Sequence, residues 1–293
     1  MGSKGKDVVA QGRQGGFRLG SGWMVVAAAL FALMGLFVKL GAQQFSSTEL
    51  VFWRTLIGVV ALGGAALWRR ERFATPLLRY HLQRGVIGYS SLLMSFYAIA
   101  HLPLATASTL TYTSPMFLAL LSVVLLQERL PAQAMAGLAL GFAGVALLLR
   151  PTLSGDAWFA GLMGLASGFL AGWSYLHVRE LGRQGEAEWR VVFYFALIST
   201  VGGVLLMCLE RWHPVTLDNV GLLLGLGVSA TLAQLAMTRA YKVGRKLTAA
   251  NLSYLTVVFS SLIGALVWGD ALSPASLLAM GLIVVSGMLA SRR

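Results

Sequence analysis

The sequence TASTLTYTSPMF at residues 106–117 returns as TAANLSYLTVVF at residues 248–259. The same offset of 142 positions aligns residues 95–149 with residues 237–291 without a gap. Apolar residues match partly through composition alone, but polar positions align as well, including Tyr112 with Tyr254. The chain therefore contains an internal repeat.

The segments around this repeat are too apolar for a soluble protein. Of the 293 residues, 57% are hydrophobic and only 12% are charged, whereas soluble chains carry about 25% charged residues. A bilayer-spanning helix needs about 20 mostly apolar residues. Apolar runs of about this length lie near residues 22–40, 48–68, 85–100, 104–126, 132–149, 157–178, 191–209, 220–241, 247–268 and 275–290. The sequence predicts an all-α integral membrane protein with ten transmembrane helices.

The number of spans in each copy determines how the repeat sits in the membrane. Five is odd, so the second copy enters the membrane in the opposite sense to the first. We therefore expect two inverted five-helix repeats, at residues 22–150 and 156–291, after a cytoplasmic tail at residues 1–21. Inverted repeats are typical of secondary transporters, whose substrate site lies at the midplane between the halves.

Lysine and arginine residues fall almost entirely on one side of the ten spans. With the N-terminus inside, 19 of the 23 lie on the inner side, including Arg84 before the third span, and two lie on the outer side. Cytoplasmic loops retain such residues during insertion, so we expect both termini in the cytoplasm. The net charge of +12 is then a topology signal, and the expected partner is the lipid bilayer, with no nucleic acid.

A set of short motifs occurs in order along the spans. It comprises Phe52-Trp53-Arg54, Phe96-Tyr97-Ala98, Leu102-Pro103-Leu104-Ala105, Thr113-Ser114-Pro115, Gln127-Glu128-Arg129-Leu130, Ala249-Ala250-Asn251-Leu252 and Gly269-Asp270. Through these motifs the chain resembles the EamA-type transporters of the drug/metabolite transporter superfamily from about residue 22 to residue 290. It departs from the family pattern at Asp270, where members commonly carry Glu, and Val257 replaces a second proline.

The resemblance implies a fold and a function. It implies alternating access around a central cavity lined mainly by the first four helices of each half, with the fifth helices peripheral. It also implies a bacterial inner-membrane location and the export or uptake of a small organic metabolite, such as an amino acid.

Polar side chains inside spans are costly unless they pair or face a wet cavity, so they are candidates for substrate binding. In the fourth and ninth spans these are Thr109, Tyr112, Ser114, Asn251, Tyr254 and Thr256. A spacing of three residues places each tyrosine on one helical face with Thr109 or Asn251. We predict two substrate-binding faces and a hinge at Pro115, with hydrogen bonding between helices as the alternative role.

Further lining candidates lie in other spans. They are Ser91, Ser95, Tyr97, Trp173, Ser174, Tyr175 and Gln234. Arg54, about six residues inside the second span, is placed to meet a substrate carboxylate or to pair with Glu49. No Asp or Glu lies deep in any span, which disfavours proton-coupled export of lipophilic cations. The expected solute is neutral, zwitterionic or anionic.

Other functions remain open at this point. A flippase for a lipid-linked or amphiphilic substrate fits the same fold. A membrane enzyme needs clustered histidines or carboxylates, but the four histidines are scattered, so we expect no catalytic residue, metal ion or cofactor. Small-x-x-x-small spacing at Gly164, Gly168 and Gly172 fits internal helix packing or a homodimer.

Overall fold

The computed structural model describes residues 4–127, 132–153, 157–209, 212–243, 252–270 and 273–290, where all regular secondary structure is helical. The helices of these residues are α1 (Lys4–Gly41), α2 (Ser47–Trp68), α3 (Leu78–His101), α4 (Leu104–Thr111), α5 (Ser114–Leu126), α6 (Ala132–Leu153), α7 (Trp158–Arg183), α8 (Glu188–Met207), α9 (Leu217–Val243), α10 (Leu255–Trp268) and α11 (Pro274–Ala290). The prediction of an all-α fold is confirmed.

Six segments of the described residues are long and apolar enough to cross a membrane. They are Gly22–Gly41, Ser47–Trp68, Leu104–Leu125, Trp158–Arg183, Glu188–Met207 and Leu217–Val243. Shorter apolar helices cover Met135–Leu147, Leu255–Trp268 and Pro274–Ser286. Residues 247–251 of the ninth predicted span lie outside the described residues. α3 belongs to neither group, because it opens with polar and basic residues that include Arg79 and Arg84.

Helices from the two halves of the chain pack against one another. α1 packs most extensively against α9, α3 against α7 and α6 against α11, and α2 lies along α8. Each of these pairs joins a helix that ends before residue 154 to a later one. The largest apolar core accordingly contains Phe96 and Leu110 from the first half and Leu226 and Tyr254 from the second. The interface between the halves is therefore the centre of the molecule.

The fourth predicted span is interrupted near its middle. A turn at residues 112–113 separates α4 from α5, and Pro115 lies in the first turn of α5, where the missing N–H costs no helical hydrogen bond. A turn at Tyr254 likewise precedes α10. Tyr254 aligns with Tyr112, but this copy carries Val257 at the position of the proline. The interruption therefore does not depend on proline alone.

The glycine-rich face of α7 packs against the α4–α5 turn. A Cβ atom added at Gly168 would lie 2.3 Å from Thr113 Oγ1 and 2.6 Å from the Leu110 carbonyl oxygen. A Cβ atom at Gly172 would lie 2.8 Å from the carbonyl oxygen of Ser114. These glycines allow close approach of two helical backbones, so their spacing serves packing inside the molecule.

Candidate functional site

A cavity of about 100 Å³ lies between the two halves of the chain. Side chains of α1, α2, α3 and the α4–α5 region line one side, and side chains of α7, α8, α9 and α10 line the other. Among the described residues, α6 and α11 contribute nothing to the wall. The cavity is therefore built jointly by the two halves, as a site at a repeat interface requires.

Six of the predicted site residues meet at this cavity. They are Arg54, Ser91, Tyr112, Ser114, Tyr175 and Gln234. The additional candidates Ser95, Ser174 and Thr256 also line it. Asn251 lies outside the described residues, so its role stays a prediction.

Two arginines are the charged residues of the cavity wall. The guanidinium carbons of Arg54 on α2 and Arg84 on α3 lie 5.8 Å and 3.6 Å from the centre of the Phe195 ring. Both residues are buried, with exposed fractions of 5% and 2%. The Tyr175 phenol is near enough to interact electrostatically with both, and the aromatic face of Phe195 attracts each cation. Two positive charges are thus held around one ring.

The described residues leave these guanidinium groups without a counter-charge. Within the described residues, Nε and Nη1 of both Arg54 and Arg84 have no hydrogen-bond partner. None of the ion pairs formed there includes either arginine. Arginine stays protonated in proteins, and an uncompensated buried charge costs several kcal/mol. The wall therefore attracts an anion.

Three hydroxyl groups of the same wall, those of Ser91, Ser95 and Thr111, form hydrogen bonds within the protein. Ser91 Oγ donates to the carbonyl oxygen of Ser167 at 2.8 Å. The Thr111 hydroxyl lies 3.2 Å from that of Ser95 and 3.1 Å from that of Ser167. These bonds tie α3, α4 and α7 together, which is the packing role that Ser and Thr play in membrane helices. The hydroxyls of Ser91, Ser95 and Thr111 thus have partners within the protein, whereas Nε and Nη1 of the two arginines have none among the described residues.

A smaller recess adjoins the cavity. The cavity and the recess share Tyr112, Ser114 and Tyr175 in their walls. Pro115 and Tyr241 line the recess but not the cavity. The rings of Tyr175 and Tyr241 have centroids 6.3 Å apart. Pro115 is therefore next to the cavity, and its action as a hinge stays a prediction.

Four predicted site residues lie away from the cavity, namely Tyr97, Thr109, Trp173 and Tyr254. Thr109 Oγ1 donates to the carbonyl oxygen of Ala105 in its own helix, at 2.7 Å. The Tyr97 ring stacks on His101, with centroids 4.1 Å apart. Trp173 is 36% exposed, and Tyr254 is buried within the apolar core. A shared helical face with Tyr112 was therefore not enough to bring Thr109 to the wall.

Arg84 was not predicted as a site residue, because it was counted among the basic residues on the inner side before the third span. It lies instead within α3, which begins at Leu78 and includes Arg84 in its second turn. A signal was available: Arg84, Gly88, Ser91 and Ser95 follow one another at spacings of four, three and four. Such spacing marks one helical face, and all four residues line the cavity.

Contacts between the halves join them at the end that we predict to face outward. Lys39 Nζ donates to the Leu102 carbonyl oxygen at 3.0 Å and lies 3.9 Å from Asp270 Oδ2. Glu49 is buried at the start of α2, where its Oε1 accepts the backbone N–H of His213 at 2.7 Å. The ring atom Nδ1 of His213 lies 2.8 Å from Glu49 Oε2. Lys39, Glu49 and Asp270 are therefore paired at this end.

A second set of contacts joins the halves at the opposite end. Glu186, in the loop between α7 and α8, accepts hydrogen bonds from Thr75 and Arg190. His81 Nε2 lies 3.3 Å from Glu186 Oε2. Burial alone would raise the pKa of Glu186, but its hydrogen bonds with Thr75, Arg190 and His81 outweigh that effect and lower the pKa to about 2. Glu186 therefore stays ionised.

The sequence and the fold are similar to those of known proteins over most of the chain. The model of the EamA-like transporter family matches residues 18–150. The pseudopaline exporter CntI of Pseudomonas aeruginosa is 32% identical over 274 residues, which cover 92% of this chain and 94% of that protein. The riboflavin transporter of Vibrio cholerae is 27% identical over 256 residues, 85% of each chain. A protein of known crystal structure, 24% identical, superimposes with a TM-score of 0.66 over 92% of this chain and 96% of that one.

Proposed function

Because the chain belongs to the EamA-type transporter family of the drug/metabolite transporter superfamily, we propose that it exports a small organic metabolite by alternating access. Family membership makes the protein a multi-pass membrane transporter of a small molecule, and not an enzyme. We further propose that it lies in a bacterial inner membrane with both termini in the cytoplasm. The asymmetric distribution of lysine and arginine supports this orientation.

The cavity between the halves is the observation that carries the proposal. A transporter that works by alternating access needs a site that both halves build and that each can uncover in turn. Arg54 and Tyr112 come from the first half, and Tyr175 and Gln234 come from the second. A substrate bound there would contact both halves at once.

The pattern of helix packing supports ten spans in two inverted repeats. If α1 corresponds to α7, α2 to α8, α3 to α9 and α6 to α11 in the order of spans, exchanging the halves turns the α1–α9 contact into the α7–α3 contact. The α2–α8 and α6–α11 contacts each turn into themselves. All four contacts are present, which is the arrangement that a twofold axis in the membrane plane would produce.

The wall of the cavity supports a neutral, zwitterionic or anionic solute. It contains Arg54 and Arg84 and, among the described residues, no Asp or Glu. The similarity to a pseudopaline exporter supports export as the direction of transport. A volume of about 100 Å³ favours a small solute over the lipid-linked substrate of a flippase. The glycine face of α7 is used inside the molecule, so it supplies no argument for a homodimer.

Transport by the purified protein in liposomes tests the proposal. The panel of solutes contains amino acids, nucleosides, vitamins and organic acids. Tyr112→Ala removes an aromatic wall of the cavity, so we expect transport of the active solute to fall about tenfold, a loss of about 1.4 kcal/mol in transition-state stabilisation. Tyr80→Ala, a tyrosine of α3 outside the cavity, is the matched control. Absence of transport across the whole panel would contradict the proposal.

A further inference from the structure

We propose that Arg54 and Arg84 together select a small organic solute that carries two carboxylate groups. This inference rests on the proposed transport function and adds to it a charge requirement and a second recognition residue. Arg84 is the residue that the sequence analysis placed before the third span. The inference follows from the donors, the charge balance and the size of the cavity.

The two side chains offer unused donors in the form that carboxylates bind best. A guanidinium group is a planar array of N–H donors, and its charge-assisted hydrogen bonds to carboxylates are about twice as strong as neutral ones. Nε and Nη1 of both Arg54 and Arg84 lack a partner among the described residues. Both side chains are more than nine-tenths buried and line the same cavity. Each can therefore donate hydrogen bonds to one carboxylate.

Charge balance favours two carboxylates on one solute. The guanidinium groups are near enough to repel each other, and both lie around the ring of Phe195. A solute with one carboxylate neutralises one arginine and leaves the other as an uncompensated buried charge, which is costly. A solute with two carboxylates neutralises both.

The size and the remaining chemistry of the wall fit a short carbon chain between these carboxylates. One water-sized probe occupies roughly 10–15 Å³, so a cavity of about 100 Å³ has room for about seven to ten non-hydrogen atoms. Phe31, Met34, Leu92 and Ile99 supply apolar surface to the wall. A dicarboxylate of four to six carbons has this size and an apolar middle.

Ligand-induced thermal stabilisation of the full-length protein in detergent tests the charge requirement, because a ligand of the folded state raises apparent stability. The probes are succinate, glutarate and adipate, each compared with its monoamide and its diamide, which have nearly the same shape but one charge or none. We expect at least one dicarboxylate to bind about tenfold more tightly than its monoamide, since a hydrogen bond to a charged group contributes this much. Equal affinity for every dicarboxylate and its monoamide would overturn the inference.

Single substitutions should change the charge preference in a predictable way. In Arg54→Gln or Arg84→Gln one positive charge remains, so the dicarboxylate should lose about tenfold in affinity and the monoamide should bind at least as well. Arg79→Gln, an exposed residue of the same helix, should leave both affinities unchanged. A single-arginine variant that still prefers the dicarboxylate tenfold would overturn the inference.

A second measurement separates recognition from a structural role. Without ligand, Arg54→Gln and Arg84→Gln should unfold at a higher temperature than the unmodified protein, because each removes an uncompensated buried charge. A lower unfolding temperature for both would assign them a structural role and count against the inference. Transport assays distinguish the two proposals: dicarboxylate binding without transport contradicts only the transport function, and transport without dicarboxylate preference contradicts only the inference.

Discussion

Buried charges at the end that we predict to face outward are paired, whereas those in the central cavity lack partners among the described residues. Glu49 is 1% exposed and accepts hydrogen bonds from the backbone of Ser46 and His213. Arg84 is 2% exposed and leaves two nitrogen atoms without a partner among the described residues. Both regions join the same two halves, so depth of burial does not explain the difference. The hydrogen bonds of Glu49 hold the halves together. The unpartnered nitrogen atoms of Arg84 mark the place where, in our proposal, a ligand binds.

Glu49→Gln should produce the largest loss of stability. The substitution removes the charge that His213 and the start of α2 surround, and it brings an N–H donor toward existing donors. We expect the free energy of unfolding to fall by about 2 kcal/mol, measured by thermal unfolding in detergent. Glu71→Gln, at an exposed acid, should be neutral. A Glu49→Gln variant as stable as its control would contradict the claim that the paired charge of Glu49 stabilises the contact between the halves.

Glu186→Gln should have a smaller effect that depends on pH. The folded-state pKa of Glu186 is about 2, below its ordinary value of 4.5. Its ionised form therefore stabilises the fold above pH 4.5, and this contribution disappears as the pH falls toward 2. At pH 7 we expect the variant to be less stable by about 1–2 kcal/mol. The difference in stability between the unmodified protein and the variant, measured by thermal unfolding, should shrink between pH 4.5 and pH 3. A difference that does not change with pH would show that Glu186 stabilises the fold independently of its charge.

Ser95→Ala should have the smallest effect, although Ser95 lines the cavity. Its hydroxyl lies 3.2 Å from that of Thr111, which also contacts Ser167, so the network keeps a link between α4 and α7. We expect a loss below about 1 kcal/mol and unchanged ligand affinity. Thr111→Val, which removes both contacts, should cost more. A large loss of binding in Ser95→Ala would mean that the hydroxyls recognise substrate directly.

Much of the fold could be predicted from local patterns. Apolar runs located the helices, and Pro103 and Pro274 mark places where one helix ends or the next begins. Tyr112 and Tyr254 align in the sequence and both lie at a turn, although the two spans were predicted to be continuous there. The positions of the helices depend on residues close together in the chain, so a short stretch of sequence is enough to predict them.

The site was harder to predict because it depends on contacts between distant residues. Arg84 was missed because its span was expected to begin at Gly85, and the basic residues before that position looked like a loop. Tyr254 matches Tyr112 in sequence, yet it packs into the core while Tyr112 reaches the cavity. The repeat fixes backbone position in both copies, but the neighbours of each copy determine what a side chain contacts.

The close packing of α7 on the α4–α5 turn also determines which changes of sequence the protein can tolerate. Gly168 and Gly172 leave space for a hydrogen atom only, so even alanine must displace a neighbouring backbone. Gly22, Gly182 and Gly281 have no atom within 4 Å of an added Cβ, so alanine can replace them without a clash. The described glycines thus range from positions that are closed to evolutionary drift to positions that are open to it.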